Sequence, residues 1–298
     1  MKKSEGQQHL SFGGSWTVDK LDCLKEYLKA YQYVLKKQSF ETWYIDAFAG
    51  TGSLNTKRRD NGQTSIWDEI EKTDKPNFID GSTRIALNID RPFTKYIFIE
   101  KEVEQIHQLN VLKSEYPSLA DKIDVINEDC NIYLQNLSAN TNWAKTRAVL
   151  FLDPYGMEVH WETLEAIAKT GAIDLWMLFP LGVAVNRMLT KDGIIPDNWV
   201  SQLNRLFGNE QWRPIFYETY STLSLFGEKT EIRKVCNFDD ISNYFIKRLK
   251  TIFPGVAENP KPLYNKKSIP LFLFCFASSN PGRGSEIAIR IAQHILQG

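Results

Sequence analysis

The chain has 298 residues, of which 43% are hydrophobic and 24% charged, and its 36 basic and 36 acidic side chains balance to zero net charge. This apolar content excludes an intrinsically disordered chain, and zero net charge argues against binding nucleic acid by charge alone. The apolar runs 148–152 and 271–277 are too short to span a bilayer, and the polar N-terminus leads into no signal core. We therefore expect a soluble, cytoplasmic protein.

Hydrophobic periodicity predicts alternating helices and strands over the first two thirds of the chain. A helix is predicted at 17–38, and the strand 42–48 (TWYIDAF) then stops at a glycine turn. After a charged segment at 54–80, the predicted strands are 95–100, 123–127, 147–152 and 172–179, with helices at 82–89, 102–115, 130–137 and 161–169. Three of the strands are almost continuously apolar, which predicts a mostly parallel sheet with helices on both faces.

The last third of the chain is less regular. The sequence predicts helices near 197–207, 214–225 and 238–252, an antiparallel strand pair at 256–264 and 270–277, and a last helix at 285–296. The predicted organisation is a flexible N-terminal arm (1–15) and a single Rossmann-like domain (16–298), with an insertion at 54–80 and a helical elaboration at about 186–253. The four cysteines are widely spaced, so neither a metal site nor a disulfide framework is predicted.

Ligands of a doubly wound sheet bind at the carboxyl ends of its strands, so the residues that end each strand are the candidates for function. The first strand ends in Asp46-Ala-Phe-Ala-Gly-Thr-Gly52. Two glycines would let the backbone approach a ligand closely, and Asp46 can accept a hydrogen bond. Glycine also serves strand-to-helix turns for structural reasons alone, so this loop by itself is weak evidence.

The second strand ends in Glu100, where a carboxylate can accept two hydrogen bonds from a ribose diol. The usual spacing from the glycine loop is about 20 residues. Glu100 lies well beyond that distance from Gly52, but an insertion at 54–80 would restore the spacing when it is counted from Ser82. The alternative is a solvated glutamate beside Lys101.

The third and fourth strands are also followed by acids. Asp129 could hold the exocyclic amine of an adenine, or it could cap the helix that begins near Cys130. After the fourth strand, Asp153 and the carbonyl of Pro154 can accept hydrogen bonds from an amine nucleophile, and Tyr155 can stack on a planar base. The structural alternative is a type I turn, which favours Asp followed by Pro.

In this order the four strand ends resemble a class I S-adenosylmethionine-dependent methyltransferase and, more narrowly, the three-Cys-motif partner protein family. The turn at 153–156 is also similar to that of enzymes that methylate the N2 amine of a guanine in tRNA, although their motif commonly reads Asp/Asn-Pro-Pro-aromatic. The resemblance covers nearly the whole chain through the motifs WTVDKL (16–21), YIDAFAGTG (44–52), GS (81–82), FIE (98–100), FLDPYG (151–156), IDLWMLFP (173–180) and FASSN (276–280).

The resemblance implies a Rossmann-like domain that binds S-adenosylmethionine. The candidate cofactor-binding residues are then Asp46, Phe48, Gly50, Thr51, Gly52, Glu100, Lys101, Asp129 and Cys130, and the candidate catalytic residues are Asp153, Pro154 and Tyr155. The leading hypothesis is methyl transfer to an amine nitrogen of a nucleic-acid base in RNA or DNA. The alternative is a non-catalytic binding partner of a three-Cys-motif protein that is encoded by a neighbouring gene.

Overall fold

The computed structural model describes residues 15–50, 81–224 and 227–298. Nearly all of the predicted N-terminal arm and the whole predicted insertion at 54–80 lie outside the described residues, and so do Thr51 and Gly52 of the predicted site.

Strands and helices begin and end close to the predicted positions over most of the chain. The strands are β1 (Glu41–Asp46), β2 (Lys95–Glu100), β3 (Ile123–Asn127), β4 (Thr146–Leu152), β5 (Ile173–Phe179), β6 (Tyr217–Ser224), β7 (Gly227–Lys234), β8 (Gly255–Val256), β9 (Lys261–Tyr264) and β10 (Pro270–Ser278). The helices are α1 (Ser15–Val34), α2 (Ser82–Leu87), α3 (Val103–Glu115), α4 (Cys130–Asn140), α5 (Trp161–Lys169), α6 (Asn186–Met188), α7 (Asp197–Phe207), α8 (Trp212–Phe216), α9 (Phe238–Leu249) and α10 (Arg283–Gln297).

The central sheet has the strand order β3-β2-β1-β4-β5-β10-β8, and β9 also pairs with β10. Strands β1 to β5 are parallel, whereas β10 runs antiparallel to β5, β8 and β9. The prediction of a mostly parallel, Rossmann-like sheet with an antiparallel C-terminal pair is therefore confirmed. The strand order reverses between β1 and β4, which is the point where ligands of such sheets bind.

The predicted helix at 214–225 is wrong. Helix α8 ends at Phe216, and the chain continues as β6, which pairs antiparallel with β7 in a separate hairpin. Tyrosine and threonine recur along β6, and aromatic and β-branched residues of this kind favour strand over helix. The region predicted as a helical elaboration thus contains a two-stranded ribbon as well as helices.

Alternation along each strand separates two cores, one on each face of the sheet. One face packs against α4, α5, α7, α8 and α9 and is mainly aliphatic on the strands. The other face lies beneath α1, α2, α3 and α10. On this second face the strands contribute mostly aromatic side chains: Tyr44, Tyr96, Phe98, Phe151, Trp176, Phe274 and Phe276.

Helix α1 crosses the aromatic face and is joined to it by a buried carboxyl group. The Tyr27 hydroxyl of α1 donates to Oδ2 of Asp174 at 2.7 Å, and the Ser278 hydroxyl of β10 donates to Oδ1 at 2.6 Å. Because Asp174 is 8% exposed, burial raises its pKa to about 6 despite these two donors. One side chain of β5 thus connects α1 and the antiparallel strand to the parallel sheet.

None of the helices in the described ranges combines the length and apolar character that crossing a bilayer would require.

The raised pKa of Asp174 gives stability a definite dependence on pH. Between the ordinary carboxyl value of 3.8 and about 6, the folded protein holds a proton that the unfolded chain has lost. Stability from this group is therefore present at low pH and is lost as pH rises through about 6, a change of about 3 kcal/mol. We expect Asp174→Asn to flatten this slope and to be no less stable than the parent at pH 8.

Urea unfolding of the parent and of Asp174→Asn at pH 5 and pH 8 measures the part of this change above pH 5, about 1.4 kcal/mol. Asp121→Asn is the control, because Asp121 is exposed and its replacement should leave the slope unchanged. An Asp174→Asn protein with the parent's slope would show that Asp174 titrates alike in the folded and unfolded states.

Candidate functional site

The glycine loop after β1 lies across the point where the strand order reverses. Its backbone is bonded to both neighbouring strands, since the Ala47 N–H donates to the Phe151 carbonyl and the Ala49 N–H to the Ile99 carbonyl, each at 3.1 Å. Gly50 has φ +58°, in the left-handed region that favours glycine. The conformation of Gly50 is therefore a structural reason for a glycine in this loop, where the sequence predicts that the backbone approaches a ligand closely.

Glu100 at the end of β2 joins the glycine loop to the start of α3. Its carboxylate is nearly buried, and Oε2 accepts from the Gly50 N–H at 3.0 Å while Oε1 accepts from the Glu102 N–H at 2.9 Å. The structure therefore contradicts the alternative that Glu100 is a solvated surface glutamate. A carboxylate has about four lone-pair sites, so each oxygen keeps capacity for one further donor.

Asp46 is fully buried on the aromatic face and accepts three hydrogen bonds. The donors are the Ser82 hydroxyl at the start of α2, the Tyr44 hydroxyl at 3.1 Å and the Phe48 N–H at 3.4 Å. Burial raises the pKa of Asp46 to about 7, and the nearby negative charge of Asp153 adds to the rise. Half or more of these carboxyl groups are consequently neutral near pH 7.

Asp153, which follows β4, forms an ion pair with Lys20 of α1 through Oδ2. The Lys20 side chain is 6% exposed and that of Asp153 is 25% exposed, so the ammonium is buried while the carboxylate reaches the surface of the site. The Lys20 ammonium also lies 5.0 Å from the ring centre of Trp16. Sequence reasoning missed Lys20, although its spacing from Leu24 and Tyr27 places a lysine on the apolar side of the helix.

Asp129 is the N-cap of α4, which is one of the two roles that the sequence suggested for it. Its Oδ1 accepts from the Asn131 N–H at 2.9 Å and the Ile132 N–H at 3.4 Å, and Lys101 lies 3.9 Å from Oδ2. Partial burial would raise its pKa, but these donors and Lys101 hold the pKa below its ordinary value. The adjacent Cys130 is buried, which raises the pKa of its thiol to about 12.

The loop after β4 is held in place by Asn131, which no sequence pattern indicated. The Asn131 amide donates to the Glu158 carbonyl, and its Oδ1 accepts from the His160 N–H and the Thr163 hydroxyl, all at 2.9 Å. Within the loop, the Tyr155 N–H donates to the Glu158 carboxylate at 3.1 Å. Pro154 is buried, whereas the Tyr155 ring is 43% exposed.

The glycine loop, the loop after β4 and helix α3 meet at Gly50. A β-carbon at this glycine would lie 3.6 Å from the Tyr155 hydroxyl and 3.6 Å from Oε1 of Gln105 on α3. This Gln105 oxygen is buried and has no hydrogen-bond partner among the residues that the structure describes. A glycine beside a buried acceptor fits a nucleoside cofactor, which carries hydroxyl donors, and the Tyr155 side chain on the other side could contact a further planar group.

The predicted site residues therefore fall into two groups. Asp46, Phe48, Gly50, Glu100, Asp153, Pro154 and Tyr155 lie around the loops that follow β1, β2 and β4, whereas Lys101, Asp129 and Cys130 lie beside them at the start of α4. Two clefts lie elsewhere in the described chain. One, of about 450 Å³, lies between 168–171 and 250–254, and one of about 510 Å³ lies between α1 and 89–91.

Strand order, the antiparallel strand β10 and the loops at the carboxyl edge define a Rossmann-like α/β fold, as predicted from the resemblance to class I methyltransferases. No protein-family model and no curated protein matches the chain.

Among solved structures, the chain is similar to protein LPL1258 of Legionella pneumophila, with 15% identity over 96% of this chain and 92% of that chain and a TM-score of 0.49. It is also similar to spermidine synthase of Thermotoga maritima (11% identity, 90% and 61% coverage, TM-score 0.38). A third likeness is to a Listeria monocytogenes protein provisionally described as an S-adenosylmethionine-dependent methyltransferase (10% identity, 87% and 98% coverage, TM-score 0.35). These likenesses are distant, and the class of fold rests on the strand order.

The Lys20–Asp153 pair makes a thermodynamic prediction. Lys20→Met leaves the Asp153 carboxylate beside an apolar helix without its partner, and breaking a buried pair in this way costs roughly 3 kcal/mol of unfolding free energy. Lys20→Met combined with Asp153→Asn should recover part of that loss, because no unpaired charge remains. Denaturant unfolding of the single and double variants measures the coupling.

Lys25→Met is the matched control, because Lys25 is exposed on the same helix and its replacement should change stability by no more than about 0.5 kcal/mol. Strictly additive effects of the Lys20 and Asp153 replacements would mean that the two side chains do not interact in solution.

Proposed function

We propose that this protein is an S-adenosylmethionine-dependent methyltransferase that acts on an amine nitrogen of a nucleic-acid base. The observation that carries the proposal is the meeting of the β4 loop with the glycine loop, where the Tyr155 hydroxyl lies 3.6 Å from the β-carbon position of Gly50. This brings candidate substrate-binding and cofactor-binding residues to one place at the reversal of strand order. That place is where a doubly wound sheet binds its ligands.

The residues around the glycine loop supply what a nucleoside cofactor needs. Glu100 and Gly50 would hold the nucleoside, and Asp129 beside Lys101 would lie near the base. When bound, S-adenosylmethionine supplies an electrophilic methyl group on a positively charged sulfur. The carboxylate of Glu100 and the partly ionised Asp46 give the site negative potential, which favours a cationic ligand over a neutral one.

Asp153 would orient the acceptor amine. Lys20 binds its Oδ2, which fixes the carboxylate and leaves Oδ1 available to accept an N–H from the substrate. Because Lys20 already binds one oxygen of Asp153, we assign this side chain the role of positioning the nitrogen. Positioning of this kind can account for a large part of the rate enhancement of a transfer reaction.

Tyr155 would bind the base that carries the amine. Its ring is 43% exposed, while its backbone is held by Glu158 and its neighbour Pro154 is buried. An aromatic side chain that is held at its backbone and partly exposed can stack on a planar base. This arrangement supports a nucleic-acid base as the planar substrate.

A second candidate function is a non-catalytic partner of a neighbouring-gene protein, as in the three-Cys-motif partner family that the motifs resemble. The specific observation in its favour is that both oxygens of Glu100 accept backbone N–H groups and that Asp153 is already paired. In such a protein the strand-end acids would serve the fold alone. The two functions differ in cofactor binding and in methyl transfer, and each can be measured.

The cofactor assignment predicts that S-adenosylmethionine or S-adenosylhomocysteine raises the melting temperature, since a ligand at a hundredfold excess over its Kd stabilises by about 2.7 kcal/mol. Glu100→Gln should weaken binding at least tenfold, which is about 1.4 kcal/mol, because the charged acceptor is lost. Titration calorimetry measures both proteins, and Glu162→Gln, an exposed glutamate on α5, is the control. A folded parent that binds neither ligand at millimolar concentration would exclude the cofactor.

The transfer assignment predicts that labelled methyl groups pass from the cofactor to pooled tRNA or DNA. Asp153→Asn should lower the rate at least a hundredfold while cofactor affinity stays within a few fold, because the side chain acts on the acceptor. Tyr155→Ala should weaken acceptor binding by about 1–3 kcal/mol, the usual contribution of base stacking. Chromatography and mass analysis of the digested nucleosides against methylated standards identify the methylated atom.

Lys25→Met serves again as the control for handling and folding. Transfer to a co-expressed protein instead of nucleic acid would overturn the substrate class, and full turnover by folded Asp153→Asn would remove Asp153 from the mechanism.

A further inference from the structure

One polar group at the site has no partner in the described ranges 15–50, 81–224 and 227–298. The Oε1 atom of Gln105 is buried and accepts no hydrogen bond from these residues. Burying a carbonyl acceptor without a donor is unfavourable, because the oxygen loses its hydrogen bonds to water and gains none in return. An apolar side chain of similar length at this position would avoid that penalty.

The position of Gln105 explains which way its side chain extends. It is the third residue of α3, which begins at Val103 directly after β2, and its N–H donates to the Glu102 carbonyl at 3.0 Å. Side chains on a helix tilt toward its N-terminus, so a residue of this first turn extends toward the carboxyl end of the preceding strand. Oε1 accordingly lies 3.6 Å from the β-carbon position of Gly50.

Two acceptors of different chemistry therefore flank the same glycine. The Glu100 carboxylate accepts from the Gly50 N–H, while the Gln105 carbonyl faces the side of Gly50 that a side chain would occupy. Both Glu100 oxygens already accept a backbone N–H, which leaves the glutamate with reduced capacity for ligand hydroxyls. The Gln105 carbonyl has its full acceptor capacity.

We propose that Gln105 is a further ligand-binding residue, whose side-chain carbonyl accepts a hydrogen bond from a ribose hydroxyl of the nucleoside cofactor beside Glu100. This inference rests on the proposed function, because it takes the ligand to be a nucleoside. A ribose hydroxyl would give Gln105 Oε1 the hydrogen-bond donor that none of the described residues provides. The neutral amide accepts without adding a further negative charge to a site that already holds Asp46, Glu100 and Asp153.

The helix offers a matched control for testing this assignment. Gln108, three residues further along α3, is the same residue type but is exposed. The variants are Gln105→Met, which keeps length and removes the carbonyl, Gln105→Ala as a second truncation, and Gln108→Met. Each is compared with the parent by thermal unfolding without ligand and by calorimetric titration with S-adenosylhomocysteine.

We expect Gln105→Met to melt no lower than the parent without ligand, since it removes a buried unpaired acceptor. Its affinity for S-adenosylhomocysteine should fall at least tenfold, with a similar loss in Gln105→Ala, whereas Gln108→Met should stay within twofold. The 2′-deoxy and 3′-deoxy analogues of S-adenosylhomocysteine locate the contact. The analogue that lacks the hydroxyl bound by Gln105 should bind the parent at least fivefold more weakly than S-adenosylhomocysteine, and that difference should fall at least threefold in Gln105→Met. A penalty that comes from Glu100 should be the same in both proteins.

The outcomes separate the inference from the function on which it rests. If the parent binds and both Gln105 variants bind as tightly, the contact does not exist although the cofactor site stands. If the penalties of both deoxy analogues are unchanged in Gln105→Met, the ribose assignment of Gln105 is wrong. Equal losses in Gln105→Met and Gln108→Met would mean a perturbed helix and would also overturn it. A parent that binds no nucleoside overturns both the inference and the cofactor assignment.

Discussion

Helix α1 is attached to the aromatic face of the sheet by two buried polar contacts, and the arrangement of the site depends on them. Tyr27 reaches Asp174 near the amino end of β5, and Lys20 reaches Asp153 beyond the carboxyl end of β4. Seven residues of helix separate the two contacts, a rise of roughly 10 Å. Packing of aromatic rings alone would tolerate sliding of the helix, whereas two directional contacts at opposite ends of the sheet fix both its register and its direction.

The same attachment sets the electrostatics of the carboxyl edge. Asp46 and Asp153 lie close enough for the charge of one to raise the pKa of the other, and Lys20 is the buried cation between helix and site. Without the ammonium, two neighbouring carboxylates would resist ionising together. With it, Asp153 has a cationic partner, and the fully buried Asp46 is the carboxyl group whose pKa is raised.

The sequence was sufficient to predict the parallel sheet, because five apolar strands alternate with helices and each strand end carries its own turn residues. It was also sufficient to select Glu100 and Gly50, which the structure joins by a hydrogen bond. Lys20, Asn131 and Gln105 were missed because their importance comes from partners distant in the chain, which local periodicity does not encode. Strand β6 was predicted as a helix because it directly follows the short helix α8. The hydrophobic pattern therefore does not show where helical periodicity ends and strand alternation begins.

The antiparallel strand has a consequence for how the chain is made. Strand β5 ends at Phe179, but its outer neighbour β10 begins only at Pro270. During synthesis the almost wholly apolar strand β5 therefore leaves the ribosome with one hydrogen-bonding edge unpaired. This edge stays unpaired until the chain has been made as far as β10. An open apolar edge invites pairing with other chains. The hairpin and helices made in that interval include α9, whose Phe245 stacks on Phe179 at 4.0 Å between ring centres, so the nascent strand gains a cover on its face before its edge is closed.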